Sequence, residues 1–458
     1  MTRKLFGTDG VRGKINIFPL TAEIALKLGQ ATAIILRKRA AGKEYKNGKK
    51  RPKVVIGKDT RISGYIYEYA LTSGLCSCGT DVYLVGPLPT PAIAHLTKSF
   101  GADAGIVISA SHNPATDNGI KFFDSESFKL PDAEEEEIEK MVFGGIDTSG
   151  FDMKKVGKAY RIDDAAGRYI EYCKSTIFNA SLSPFKLVID CANGAAYKVA
   201  QRIFLELGAE VIVIGNTPNG FNINEGCGCL NLNALKETVL KNKADIGIGL
   251  DGDADRVMLV DEKGEIVDGD EIMAISASYM KEKGLLKNNK IVATVMSNIG
   301  FDIAMKKQGI KVEKTDVGDR YVIEKMRNLS AELGGEQSGH IIFLKHITTG
   351  DGIITALQVL MAMKHYKKLL SELKKCMTKY PQILINVDVK ERKQLEKIKG
   401  YNEKIKEIEN KLKEDGRILV RYSGTQNCCR VMLEGKDKQE ITKYAEEIAK
   451  VIKKEIGV

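Results

Sequence analysis

Ser109 and Ser111 stand in the run Gly105-Ile-Val-Ile-Ser-Ala-Ser-His-Asn-Pro114, where an apolar stretch meets hydroxyl, imidazole and amide side chains. Ile106 to Ile108 read as a buried strand. The loop that ends it delivers one of the two hydroxyls to a sheet edge, where α/β proteins place their chemistry. Pro114 biases Asn113 away from helical backbone and keeps the loop extended. Lys121 follows just after the Asn118-Gly119 turn signal. A loop with Ser, His and Lys this close could bind phosphate or transfer it. The alternative is a plain polar turn between strands.

Asp251-Gly-Asp-Ala-Asp-Arg256 lies between two apolar runs, Ile246 to Leu250 and Val257 to Val260. In an extended backbone, carboxylates at alternate positions point to one side. Charges about 4–6 Å apart would repel by several kcal/mol at an effective dielectric of ~20. A divalent cation relieves this, and an all-oxygen donor set suits Mg²⁺ or Ca²⁺ rather than zinc. An EF-hand is excluded, because its sixth loop position requires Gly and Arg256 stands there. Arg256 is suited to a bidentate grip on phosphate. Arg421-Tyr-Ser-Gly-Thr-Gln-Asn-Cys-Cys-Arg430 gathers guanidinium, hydroxyl and backbone N–H donors with no acid among them, as a phosphate cradle does.

Three stretches supply elements to position such loops. Each has a strand opening with Lys, a polar loop, a helix, then Gly-x-x-Val leading a second strand. They begin at Lys53, Lys186 and Lys290 and reach Val82, Val211 and Val312. Strands alternating with helices predict βαβ units and largely parallel sheets. The long intervals predict three related domains rather than a solenoid. Residues 21–38 read as a helix with Ile24, Leu28, Ala31 and Ile35 on one face. The tail reads as a helix over 392–413, strands over 417–420 and 429–433, and a closing helix over 439–452. Domains are expected at 1–150, 151–257, 258–375 and 376–458.

At 458 residues the chain exceeds the size of a single core. Apolar residues at 43% and charged residues at 28% are ordinary for a soluble protein, and no apolar run could span a bilayer. The N-terminus has no signal-peptide core, so a cytoplasmic protein is expected. The nine cysteines include no Cys-x-x-Cys pair and read as reduced, small apolar residues. The alternative at Cys428 and Cys429 is a thiol pKa lowered by the nearby arginines. The net charge of +10 comes largely from Lys-rich stretches with no aromatic-basic platform or zinc finger, so nucleic acid is not the expected partner. The positive field would help gather a sugar phosphate.

Phe6-Gly-Thr-Asp-Gly-Val-Arg-Gly13, the Ser109–Pro114 loop, the Asp251–Arg256 loop, Gly334-Gly-Glu-Gln-Ser-Gly-His340 and Arg421-x-Ser-Gly-Thr425 occur in one order. Together they resemble the α-D-phosphohexomutase superfamily over essentially the whole chain. The wording, including Thr348-Thr-Gly-Asp-Gly352, is most similar to its phosphoglucosamine mutase branch. The resemblance implies three related α/β domains with mixed, largely parallel sheets plus a smaller C-terminal α+β domain, around a shared cleft. It implies interconversion of glucosamine 6-phosphate and glucosamine 1-phosphate through a phosphoserine enzyme. Glucosamine 1,6-bisphosphate, or a similar compound, would be intermediate and activator.

By the same resemblance Ser111 is the phosphoserine, and Asp251, Asp253 and Asp255 hold one Mg²⁺ per chain with a phosphoryl oxygen on Ser111. Lys121 and His340 are expected to move protons, their charge tuned toward neutral pH. Arg12, Ser109, His112 and Arg256 are expected around the transferring phosphoryl group. Glu336 and Ser338 are expected on sugar hydroxyls, with Asp319 and Arg320 lining the sugar site. Arg421, Ser423, Gly424, Thr425 and Arg430 are expected on the distal phosphate. The chain departs from the family at Gln426-Asn427, where Glu-Pro is usual, and at Cys227-Gly-Cys-Leu-Asn231, where Cys-Gly-Ser-Thr-His is usual. Both bear on which sugar is preferred. A mutase of mixed glucose and mannose specificity, a phosphoserine phosphatase and a silent sugar-phosphate binder are the rival readings.

Overall fold

The computed structural model describes residues 4–7, 9–41, 51–151, 153–423 and 427–458. Two compact units emerge, one of residues 1–295 with 311–375, the other of 296–310 with 376–458. Among the described residues no helix is long and apolar enough to cross a membrane.

The first unit holds three sheets that share a four-strand plan. In the seven-stranded sheet, Asp117–Asp124, Ala104–Ile108, Lys53–Lys58 and Asp81–Pro87 lie in that order. In the five-stranded sheet the corresponding order is Val257–Asp261, Ile246–Leu250, Lys186–Asp190 and Glu210–Ile214. The four-stranded sheet repeats it with Ile341–Phe343, Leu333–Gly335, Lys290–Thr294 and Lys311–Thr315. In each sheet the last three strands are parallel and the first runs antiparallel. The Lys-opening strands pair in one register, with Val54 opposite Val82, Leu187 opposite Val211 and Ile291 opposite Val312. The repeat expected from the sequence is therefore a repeat of strand pairing.

The chemistry-bearing loops follow the same strand of each plan. Residues 109–116 leave Ala104–Ile108, residues 251–256 leave Ile246–Leu250, and residues 336–340 leave Leu333–Gly335. Strands that bury both faces are continuous apolar runs, as Ala104–Ile108 is over all five residues. Their carboxyl ends are where polar loops can leave the core.

The helix Ala22–Ala41 packs on Gly64–Ser77 and buries Leu28, Ala31 and Ile35, while Ile24 is half-buried. The seven-stranded sheet ends in Ala159–Arg161, paired with Asp81–Pro87, beyond the boundary expected at 150. The five-stranded sheet takes in Val257–Asp261 and Ile266–Val267, beyond the boundary expected at 257. In both sheets an edge strand joins after a loop.

In the second unit Cys428–Gly435 runs between Gln382–Asp388 and Gly416–Tyr422, all antiparallel. The charged stretch expected to be helical from 392 forms an α-helix only over Tyr401–Leu412, because Gly400 takes φ 79° immediately before it. The closing helix Lys438–Ile456 is capped by Asp437, whose side chain accepts from the Gln439 and Glu440 amides.

Candidate active site

Ser111 adopts φ 53°, a left-handed backbone that costs a non-glycine residue roughly 1–3 kcal/mol unless its surroundings enforce it. They do so here. Arg61 Nη2 donates to the Ser111 and Asn113 carbonyls at 3.2 and 2.5 Å, and Asn224 Nδ2 donates to the same two at 2.9 and 3.0 Å. Arg61 is fully buried and paired with Asp59. Gly252 lets the Asp loop meet this backbone, since a Cβ there would stand 2.7 Å from the Ser111 carbonyl oxygen. The result aims the Ser111 hydroxyl at Asp251, to which it donates at 2.6 Å.

Of the two serines, Ser111 is the one whose hydroxyl meets Asp251. Ser109 is fully buried, its oxygen accepts the Ser111 amide at 2.9 Å, and its hydroxyl hydrogen-bonds Asp59. Ser109, expected around the transferring phosphoryl group, is hydrogen-bonded to its own loop and to Asp59.

Asp251, Asp253 and Asp255 bring one oxygen each to within 4.8 Å of one another, and all three are buried. Asp253 Oδ2 accepts from Thr90 Oγ1 at 2.7 Å and from Lys121 Nζ at 2.8 Å. Asp255 Oδ2 accepts from Lys121 at 3.2 Å. Asp253 Oδ1 and Asp255 Oδ1 are buried without a hydrogen-bond partner. Hard oxygen donors, orphaned and converging, fit a divalent cation. Burial and the neighbouring Asp255 and Asp253 push the Asp251 pKa up. Asp255 is held well below the usual range: burial opposes this, and Lys121 and His340 outweigh it.

Lys121 also lies 3.4 Å from Asp9. Burial alone would favour its neutral amine, but Asp253, Asp255 and Asp9 raise its pKa well above the ordinary value. The expected tuning of Lys121 toward neutral pH is thus reversed, and the side chain is held as an ammonium. Lys129 extends the network by bonding both Asp9 and Asp319. Asp319 Oδ2 in turn lies 3.8 Å from His340 Nε2.

His112 Nδ1 is 3.3 Å from the Ser111 hydroxyl. Burial lowers its pKa to about 4, helped by Arg256 and Arg12, so the ring is neutral among cations. The Nε atoms of Arg12 and Arg256 are buried without hydrogen-bond partners. Two guanidinium groups close enough to act on His112, each with an unused donor, suit an anionic oxygen.

His340 arrives on the loop after Leu333–Gly335. Gly339 takes φ 89°, and a Cβ there would stand 2.1 Å from the Val257 carbonyl oxygen, so the two loops approach backbone to backbone. The Val257 amide donates to the Gly339 carbonyl at 3.1 Å. His340 Nδ1 lies 3.7 Å from Asp255 Oδ1, and its Nε2 accepts the Gly350 amide at 3.0 Å. Burial disfavours the imidazolium, but Asp255, Asp319 and Glu336 outweigh it and raise the pKa above its ordinary value. The Gly350 contact, which needs a proton-free Nε2, acts in the same sense as burial. Glu336 accepts the Gly318 amide at 3.1 Å and Ser338 is half-buried in the same loop.

Arg320 does not join this group. Its guanidinium pairs with Asp132 and Glu135 and donates to the Leu130 carbonyl at 3.1 Å, which ties it to the first turn of Asp132–Gly144. The Cys227–Asn231 segment lies against the strand that launches the Asp loop, with the Cys229 amide donating to Leu250 at 2.9 Å.

In the second unit Arg421 and Arg430 are directly opposed in the antiparallel ladder. Like charges facing across a strand pair are destabilising, and Arg430 Nε is buried without a hydrogen-bond partner. An anion would relieve both. Ser423 is buried beside them, its amide donating to the Cys428 carbonyl at 2.9 Å. Gly424, Thr425 and Gln426 lie outside the described residues. Cys428 and Cys429 both pack inward, and burial pushes the Cys429 thiol up to about 11. This runs against the lowered thiol pKa that the arginines suggested at Cys429, and none of the nine cysteines is in a disulfide.

The sequence reading assigned no role to Asp9, Asp59, Arg61, Thr90, Lys129 or Asn224. Lys58-Asp-Thr-Arg61 did carry a signal, because it is the polar end of the strand beside Ala104–Ile108.

Four domain families match in chain order, described as phosphoglucomutase/phosphomannomutase domains I, II, III and C-terminal, over residues 3–147, 167–264, 268–380 and 384–451. A phosphoglucosamine mutase from Geotalea uraniireducens (strain Rf4) is 56% identical over 457 residues, covering 99% of each chain. One from Nitratidesulfovibrio vulgaris (strain DSM 19637 / Miyazaki F) is 51% identical over 458 residues, covering 100% of each. The fold matches a phosphoglucomutase/phosphomannomutase family protein from Burkholderia thailandensis at TM-score 0.77 and 23% identity, over 98% of both chains. It also matches Aspergillus fumigatus N-acetylphosphoglucosamine mutase, crystallised with GlcNAc-6P and magnesium, at TM-score 0.65 and 19% identity, over 99% of this chain and 96% of that one. With all four domains in order and full-length identity above half, the chain belongs to the phosphoglucomutase/phosphomannomutase family, in its phosphoglucosamine mutase branch.

Proposed function

We propose that the chain is an intramolecular phosphotransferase that interconverts glucosamine 6-phosphate and glucosamine 1-phosphate through phosphorylated Ser111. The contact that carries this reading is the 2.6 Å hydrogen bond from the Ser111 hydroxyl to Asp251, inside a buried cluster of three carboxylates. In the first half-reaction the bond from phosphorus to Ser111 Oγ breaks as one forms to the free sugar hydroxyl. The hydroxyl proton passes to Ser111 Oγ. The bisphosphate turns over, and the second half-reaction reverses these changes at the other position.

Arg12, His112 and Arg256 receive the oxygens of the moving group, and Lys121 holds positive charge against it. His340 is the group through which the proton moves. Mg²⁺ held by Asp251, Asp253, Asp255 and a phosphoryl oxygen on Ser111 would supply charge neutralisation; the magnesium complex of the Aspergillus neighbour supports that choice of metal. Asp319, Glu336 and Ser338 take the sugar hydroxyls. Arg421, Ser423, Gly424, Thr425 and Arg430 take the distal phosphate.

Incubation with glucosamine 1,6-bisphosphate should add one phosphoryl group to the peptide that carries Ser111, and Ser111→Ala should lose turnover with an unchanged thermal midpoint. A label on Ser109 would overturn the assignment. The second reading, a mutase of mixed hexose specificity, is favoured by the altered segments at Gln426-Asn427 and Cys227–Asn231. Assays on glucosamine, glucose and mannose phosphates side by side separate the two.

A further inference from the structure

Three successive carbonyls of the aspartate loop each accept an amide from the surroundings of a different sheet. The Gly252 carbonyl takes the Ala195 amide at 2.8 Å, the Asp253 carbonyl the Thr90 amide at 2.9 Å, and the Ala254 carbonyl the Gly352 amide at 3.0 Å. Ala195 follows the strand Lys186–Asp190 of the five-stranded sheet. Thr90 opens the helix Thr90–Ser99, which follows Asp81–Pro87 of the seven-stranded sheet. Gly352 opens the helix Gly352–Tyr366, which follows Ile341–Phe343 of the four-stranded sheet. The first amides of a helix have no partner within it, so both can hold the loop. They hold a shape that the loop resists, since Ala254 stands at φ 56°, a left-handed backbone that costs a residue with a Cβ roughly 1–3 kcal/mol.

A third helix, Ala165–Ser175, joins these two. Its Arg168 and Tyr172 are one turn apart, and Tyr169 neighbours Tyr172 on the same surface. Tyr172 stacks on His95 of Thr90–Ser99, with ring centroids 3.8 Å apart and planes 15° from parallel. Arg168 lies over Phe100 at the end of that helix, 5.0 Å from the ring centroid. The Tyr172 hydroxyl also donates to the His346 carbonyl, in the turn that leads to Gly352–Tyr366. The hydroxyl of Tyr169, fully buried, donates to Asp351 Oδ2 at 2.8 Å. Asp351 Oδ1 caps Gly352–Tyr366 by accepting the Ile353 and Ile354 amides, each at 2.9 Å. One helix therefore grips both elements whose first amides hold the loop. We propose that Ala165–Ser175 braces the metal site, with Tyr172 and Tyr169 as positioning residues that keep the loop in one shape and so favour Mg²⁺ over Ca²⁺. Mg²⁺ needs near-ideal octahedral geometry, whereas Ca²⁺ accepts a looser and more variable set of oxygens. A loop freed of its brace loses more for the smaller ion. The inference rests on the reading of the three aspartates as a Mg²⁺ site.

Calorimetric titration of the full-length, metal-stripped enzyme with Mg²⁺ and with Ca²⁺ tests this. Tyr172→Phe keeps the stack on His95 and removes the bond to His346. Its Mg²⁺ affinity should fall about fivefold, the effect of one lost hydrogen bond, and its Ca²⁺ affinity by less than about twofold. Tyr169→Phe should lower the ratio of the two affinities in the same direction, and the double variant should lower it further. Turnover of each variant should recover as Mg²⁺ is raised, with the KM for the sugar phosphate nearly unchanged. A wild-type ratio in both tyrosine variants overturns the brace even if their thermal midpoints fall, because lost stability alone weakens the two ions alike. If one variant does not fold, the other decides alone. A wild type that binds neither cation overturns the Mg²⁺ reading and the brace with it, a result seen before any variant is made.

Discussion

Thr90 donates to Asp253 twice, from its hydroxyl to Oδ2 at 2.7 Å and from its amide to the carbonyl oxygen at 2.9 Å. With Lys121 on the same Oδ2, Oδ1 is left buried without a hydrogen-bond partner. Such outer partners orient a metal ligand, and their loss typically costs about 10- to 100-fold in metal affinity or activity. Thr90→Val keeps the size and removes the donor. Magnesium titrations followed by calorimetry and by turnover should show a loss of that order; an unchanged affinity would mean that Lys121 alone orients Asp253. The side chains of Ser111, Lys121 and the three aspartates meet in the fold, and each sits in a short run whose residue types stood out in the sequence, although the first run alone left Ser109 and Ser111 undivided. Thr90, Lys129 and Asn224 did not stand out, because their partners lie 163, 190 and 113 residues away. The charge state of Lys121 was misjudged for the same reason, since two of its three carboxylates come from the second sheet's loop.

At the level of elements, the repeated Lys-strand and Gly-x-x-Val pattern announced the parallel pairs, and the structure adds that the loops carrying Ser111, the three aspartates and His340 leave equivalent strands. No pattern of types could show this, because the strand Leu333–Gly335 is only three residues long and has no apolar run of its own. The helix Gly352–Tyr366 gives the element-scale prediction. Burial raises the Asp351 pKa from 3.8 to about 6. A carboxyl whose folded pKa is raised contributes stability that is fully present below its unfolded pKa and is lost as pH climbs through the folded one. Asp351→Asn imitates the protonated form without titrating. The variant should therefore be more stable than wild type above pH ~6, by up to about 3 kcal/mol. The difference should close as the pH falls toward ~4. Thermal midpoints of the two proteins across that window check it; a constant difference would show that Asp351 is not titrating there.

On the scale of the whole molecule, residues 296–310 belong with 376–458 although they lie between two strands of the first unit. Asn298 explains the allegiance. Its Nδ2 donates to the Tyr380 carbonyl at 2.9 Å and to Glu434 at 3.2 Å, and Glu434 also takes the Ile299 amide at 2.9 Å and pairs with Arg417. A chain ending at Lys375 is expected to be cleaved rapidly within 296–310 under limited proteolysis, where the full chain resists. Equal resistance would show that this segment is held by its own sequence neighbours. The backbone passes from one unit to the other at 295, 310 and 375, so the last domain is not a cassette. A crossover between two diverging genes placed near residue 375 would join a tail from one parent to a 296–310 segment from the other. Glu434 and Asn298 would then have to match across lineages. Inheritance of the terminal domain is expected to be linked to that distant segment, and covariation between the two is where the linkage would be read.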